Sequence, residues 1–227
     1  MSISVYSERK QAGFTLVEIA IVLVIIGLLL GGILKGQEMI TQAKIKNVVN
    51  DFNGITVAVT SYQDRYRFLP GDDKGATARW TIQNPASGDG DGVIAGKYNA
   101  TTAGATPVTA EESNLFWQHL RIAGFVPGAT TGVGTGSQPP NAAGGMMGVQ
   151  NAVTAGVGLG FTGLTICSAN IPDKVASAVD IQMDDGNSQT GQVRAQLQAT
   201  VNPDLGTTAA TNYVETGVSQ YLVCKMF

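Results

Sequence analysis

Few residues in this chain have types and spacing that could do chemistry, and each group implies a different kind. Glu18 stands alone as a charge inside the run FTLVEIAIVLVIIGLLLGGIL at residues 14–34. A carboxylate in such a segment costs roughly 3 kcal/mol near the middle of a bilayer and less toward its surface. Either a cation pairs with it, or it lies at the headgroup boundary; as the fifth residue of the run, Glu18 allows both. Cys167 and Cys224 are the only cysteines, and they form either a disulfide or two buried thiols. Ser87-Gly88-Asp89-Gly90-Asp91-Gly92 partly follows a calcium loop. Counted from Ser87, Asp89 and Asp91 fall where an EF-hand loop places acids, and Gly92 falls on its glycine. The first position is serine and the twelfth is Tyr98, so a plain Asp-Gly turn is the competing reading. Asp184-Asp185-Gly186 is a weaker case in which a turn is the default. Calcium at Asp89 and Asp91 is the one metal expectation, and no cofactor is required.

Catalysis finds little support. His119 is the only histidine, and no G-x-S-x-G, H-E-x-x-H or phosphate loop occurs. Gly156-Val157-Gly158-Leu159-Gly160 lacks the spacing of a dinucleotide-binding turn. The expectation is that the chain is not an enzyme.

The elements that must position these residues are unevenly distributed. The chain has 227 residues, 44% hydrophobic and 14% charged, with 29 glycines. It is too apolar for a disordered acidic tail, and glycine is too sparse and aperiodic for collagen. A mean hydropathy of +0.11 leaves room for few membrane spans. A net charge of −3 argues against a nucleic-acid binder. Arg65, Arg67, Lys74 and Arg79 form only a loose basic stretch, read as solvated surface. The apolar character concentrates in residues 14–34, about 32 Å as a helix at ~1.5 Å per residue, which matches a bilayer core. A soluble core helix rarely runs apolar on every face for that length. A secretory signal has a shorter apolar region closed by small residues at a cleavage site. Here the run is longer and no A-x-A follows it, so the segment reads as a retained anchor.

Residues 1–13 are short and polar, with Arg9 and Lys10 near their end, and Gly13-Phe14-Thr15-Leu16-Val17-Glu18 follows. This pattern resembles the prepilin-type cleavage and methylation signal of type IV pilins and type II secretion pseudopilins. The resemblance implies cleavage between Gly13 and Phe14 by a membrane peptidase that also N-methylates Phe14. It implies that Glu18 pairs with the N-terminal amine of a neighbouring subunit during assembly. Two opposite charges in a low dielectric satisfy each other where each alone is costly. One departure is that many pilins carry a proline about eight residues after the glycine that stands here as Gly27; this chain has Lys35-Gly36 there. Gly27 to Gly36 is therefore the segment expected to stretch or melt in a filament. The retained anchor places the rest of the chain in an oxidising space, where Cys167 and Cys224 are expected to pair. The resemblance agrees, since many pilins have a disulfide-bounded C-terminal region.

Past Gly36, apolar residues recur at Ile45, Val48, Phe52, Ile55, Val59, Tyr62 and Tyr66, alternating steps of three and four. That is one helical face. One helix from about Phe14 to Tyr66 would be about 80 Å long by the same rise. Leu69-Pro70-Gly71-Asp72 reads as a type II turn. Thr109-Ala110-Glu111-Glu112 reads as a capping box opening a short helix that closes at Gly124. Another helix is expected from Pro172 to about Met183. Strands are expected at Phe161–Cys167, Gln192–Thr200 and Gln220–Met226. Ten glycines between Gly128 and Gly160, with Pro139-Pro140, read as a long surface loop or subunit contact.

The expected fold class is α+β and pilin-like: a long N-terminal helix, membrane-spanning in its first half, packed on a small antiparallel sheet. The expected organisation is a leader at 1–13, a transmembrane and filament-core helix at 14–36, its amphipathic continuation at 37–66 and an α+β head at 67–227. The function this implies is a structural pilin of a type IV pilus; the alternatives are a type II secretion pseudopilin and a membrane-anchored periplasmic binding module that never polymerises. The implied partners are other pilin subunits, the prepilin peptidase and methyltransferase, an inner-membrane assembly platform and the membrane itself, with no nucleic acid. The implied location is the bacterial inner membrane with the head in the periplasm, then an extracellular pilus or a periplasmic pseudopilus.

Overall fold

A computed structural model describes residues 15–100, 111–132, 136–152, 158–207 and 212–227. Its elements are helix α1 (Leu16–Tyr66), α2 (Ala76–Arg79), α3 (Glu112–Ile122), strands β1 (Met147–Asn151) and β2 (Leu164–Pro172), helix α4 (Asp173–Met183), and strands β3 (Val193–Leu197) and β4 (Gln220–Met226). The chain divides into two compact units, one ending at Ile40 and the other beginning at Thr41, and α1 contributes to both.

In the first unit α1 has no buried side. Every residue from Thr15 to Lys35 is exposed, including Leu16, Leu28 and Leu34. An all-round apolar helix leaves a surface that only lipid or other protein can cover. Among the described residues, α1 is the one helix long and apolar enough to cross a membrane. Its polar boundary is the Lys35–Glu38 pair, bonded at 2.7 Å.

In the second unit the same helix becomes one-sided. Ile45, Val48, Phe52, Ile55, Ala58, Val59 and Tyr62 are buried, the face that the three-four spacing predicts. They share a core with Phe116, Trp117 and Leu120 of α3, Val175 and Val179 of α4, and Val149, Ile166 and Val223 of the sheet. The helix ends at Tyr66, Arg67 turns left-handed at φ 64°, and Gly71 at φ 93° supplies the turn that Leu69–Asp72 predicts.

The described strands form one antiparallel sheet in the order β1-β2-β4-β3. The fold is α+β and pilin-like: a long N-terminal apolar helix and a small four-stranded antiparallel sheet. β4 and α4 lie where the sequence places them. β2 runs on to Pro172, past the expected end at Cys167, and α4 starts at the next residue.

The glycine-rich stretch is not a surface loop throughout, because it contains β1, buried at all five positions. The reason is close backbone approach: a Cβ at Gly148 would lie 1.9 Å from the Tyr98 carbonyl oxygen, so the strand needs a residue without one. The cap of α3 also differs. Its N-cap is Glu111, without a side-chain cap bond, and Thr109 lies outside the described residues. The acid expected to complete the box, Glu112, instead accepts from the Asp89 and Ala95 amides.

Candidate functional site

Gly13 and Phe14, the expected processing and methylation site, lie outside the described residues. The next residues form a defined helix start. The Thr15 N–H donates to Glu18 Oε2 at 2.8 Å, and the Thr15 hydroxyl donates to the same oxygen at 2.9 Å. In return the Glu18 N–H donates to Thr15 Oγ1 at 3.3 Å. This is a capping box, in which a threonine and the acid three residues on satisfy each other's orphan amides. The T-x-x-E spacing is visible in the sequence, where the apolar run draws attention away from it. The box orients the carboxylate of Glu18 toward the N-terminal end of α1, beside the positive end of the helix dipole.

Cys167 and Cys224 are disulfide-bonded and fully buried. They stand opposite each other in the register of β2 and β4. The bridge therefore joins the two central strands of the sheet.

Asp89 and Asp91 are exposed. Asp89 Oδ1 accepts from the Asp91 N–H, and Asp91 Oδ1 accepts from the Val93 N–H, so each carboxylate closes its own Asx-turn. Asp89 instead lies with Asp72 and Glu112, three carboxylates each offering an oxygen within 4.8 Å of the others; Asp91 is not in that group. The two buried members are already engaged. Asp72 accepts from the amides of Gly90 at 2.6 Å, Asp91 at 3.1 Å and Gly92 at 2.8 Å, while Glu112 holds Asp89 and Ala95. Burial pushes both carboxyls up, and the same amide bonds oppose the shift. Asp180, Asp184 and Asp185 form a second acidic group of the same kind. There Asp180 accepts from the Tyr213 hydroxyl and the Gly186 amide, Asp184 from Val193, and Asp185 from Asn187.

Asp72→Asn tests whether backbone amides or a cation are what these acids serve. Asparagine keeps one acceptor oxygen, so its NH2 faces either the Gly92 N–H or those of Gly90 and Asp91 and leaves at least one of them unpaired; the variant should lose ~1–2 kcal/mol of stability, read by urea unfolding. Adding millimolar calcium to the native chain should leave its melting temperature unchanged; a rise would assign the carboxylates to an ion.

His119 is also a structural group, fully buried on α3. Its Nδ1 accepts from the Gly71 N–H at 3.0 Å, and its Nε2 lies 2.9 Å from the Ala86 carbonyl oxygen. Beside it the Tyr62 hydroxyl donates to Asp73 Oδ2 at 2.7 Å, and Arg79 pairs with the same oxygen. Burial pushes the Asp73 carboxyl up, but the bonds from Arg79, Tyr62 and the Gly75 amide outweigh it and hold it below the usual range. A groove of about 610 Å³ is lined by Asp51, Ile55, Trp117, Arg121, Phe125 and Met147 among others; among the described residues no Ser, Cys, His or Lys lines it.

Residues 9–34 match the model of the prokaryotic N-terminal methylation motif, the signal of type IV pilins and pseudopilins. No curated protein and no solved structure matches the chain significantly. The chain thus carries a pilin-type signal at the head of an exposed apolar helix, in a pilin-like α+β fold with one disulfide. That signal and helix together indicate membrane anchoring and pilin-type processing, and the proteins that carry the signal are structural.

Proposed function

We propose that this chain is the precursor of a type IV pilus subunit. It is cut between Gly13 and Phe14, N-methylated on Phe14 and assembled with other pilins into a helical filament. The observation that carries this reading is the methylation motif at residues 9–34, seated on a helix whose apolar first half is exposed on every side. A simple membrane anchor needs neither the glycine nor the glutamate. The helix would first lie in the inner membrane, with the head in the periplasm; the assembly platform would then extract it into a bundle of like helices, exchanging lipid contacts for protein contacts. Glu18 would pair with the new amine of a neighbour and set axial register. The size of the head and the bridged cysteine pair favour a pilus over a type II secretion pseudopilus.

Processing is tested by Gly13→Val in cells that hold the peptidase. A β-branched side chain beside the scissile bond should block cleavage, so the chain keeps its leader and the N-methylated Phe14 peptide is absent from the digest. A mature mass unchanged by the substitution would contradict the assignment. Filaments outside the cell, rather than short periplasmic assemblies, would separate the pilus from the secretion alternative.

A further inference from the structure

The segment between Gly71 and Gly92 is stitched mainly to itself. Asp72 holds Gly90, Asp91 and Gly92, and the Gly88 amide donates to the Asp73 carbonyl. Its hydrogen bonds to α3 come from two side chains, Glu112 at Asp89 and His119 at Gly71 and Ala86. His119 is the one that bridges both arms. An amide N–H can only donate, so Nδ1 must be the unprotonated nitrogen, and the proton on Nε2 is donated to Ala86. A second proton would turn Nδ1 into a donor facing the Gly71 N–H. Gly71 cannot move inward, because its backbone already packs against α3: a Cβ there would lie 2.5 Å from the Glu112 carbonyl oxygen.

We propose that His119 is a proton-operated latch between α3 and the segment 71–92: neutral, it clamps Gly71 and Ala86; protonated, it releases them. The groups that face the ring act on this balance. From α1, Tyr62 stacks on it at 6.3 Å and 10°. From the turn and α2, Asp73 favours the imidazolium and Arg79 opposes it, while the two are paired with each other. Burial is the largest influence and holds the imidazole below its usual range. The closed state therefore prefers the neutral ring, and the open state takes up the extra proton. The clamp's stabilisation is fully present above about pH 6.5 and declines as the pH falls from there through the lower range of the closed ring, with opening rising by up to about tenfold per unit.

Hydrogen exchange on the full chain in detergent micelles tests this. Protection of the Gly71 amide, corrected for intrinsic rate, should fall between pH 7.5 and pH 5, by up to about thirtyfold, the limit set by an open-state imidazole titrating near pH 6.5. At pH 5 it should be at least about tenfold lower than that of amides in β2 and β4, because local opening lies below global unfolding. His119→Asn, whose carbonyl oxygen replaces Nδ1 as acceptor, should abolish the fall. The chain has a single histidine, so imidazole nitrogen NMR reports its protonation without assignment and needs no variant. Its titration should lie below about pH 6.5 and follow the fall in Gly71 protection, because the closed majority keeps the ring neutral. The latch is overturned by a Gly71 protection that does not fall, by one that equals the sheet's at both pH values, by a fall retained in the asparagine variant, or by a charged imidazole with Gly71 still protected.

Discussion

Filament yield should drop at least a hundredfold when Glu18 is replaced by alanine, with cleavage of the leader still proceeding. Two roles for this carboxylate differ in size. As a cap on Thr15 it contributes about 1 kcal/mol to the start of α1. As the counter-ion of a neighbour's amine in a low-dielectric helix bundle, its loss leaves an unpaired ammonium, a cost of ~3–5 kcal/mol. Only the second supports a hundredfold effect, since each factor of ten takes about 1.4 kcal/mol. Thr15→Val separates them: it removes the hydroxyl of the box but keeps the charge, and it should leave yield within about tenfold of the native level. Glu18→Gln, which retains an acceptor for Thr15 but no charge, should fail as alanine does. Sheared filaments quantified against total cell-associated subunit provide the measurement. Normal yield from Glu18→Ala would remove the register role.

The second large effect concerns the bridge. Replacing both Cys167 and Cys224 by alanine opens a loop with a sequence separation of 57. In the chain-entropy model such a loop is worth roughly 4 kcal/mol. A domain of this kind holds about 5–15 kcal/mol in total, so the variant should lose a large share of its stability. With a urea slope of about 2 kcal/mol per molar, the unfolding midpoint should fall by about 2 M. A loss under about 1 kcal/mol would mean that the pairing of β2 with β4 is held by the sheet alone and the bridge adds little.

These predictions rest on features that were unequally visible in the sequence. The buried stripe from Ile45 to Tyr62 is legible because a helix against a flat core needs apolar residues every three or four positions, and nothing else interrupts that rhythm. α4 and β4 are legible because short apolar runs there are bounded by turn residues. β1 is not, because its residues, Met147-Gly148-Val149-Gln150-Asn151, include a glycine demanded by the passing Tyr98 backbone, which no local pattern reveals. α3 reads as amphipathic, yet Asn114, Gln118, His119 and Arg121 are all buried. Asn114, His119 and Arg121 turn their polar atoms onto loop backbone distant in sequence, including Ala100, Ala86 and Ser137. The Asp89–Asp91 motif has the same cause: its own acids close local turns, while the acids that hold the loop, Asp72 and Glu112, are 18 and 17 residues from the nearest amides they bind. Tertiary hydrogen bonding of this kind leaves no periodicity to read.

The strand order has a consequence for synthesis. β4 lies between β2 and β3, and β3 pairs with no other described strand. When β3 emerges from the ribosome its partner does not yet exist, and the sheet is half built until residues 220–226 follow. Cys167 likewise waits for Cys224. The apolar start of α1 is made some 180 residues before that moment, long enough at ~5–20 residues per second to engage the membrane first. A chain anchored at that point would still lack the strand that completes its sheet and the cysteine that completes its bridge.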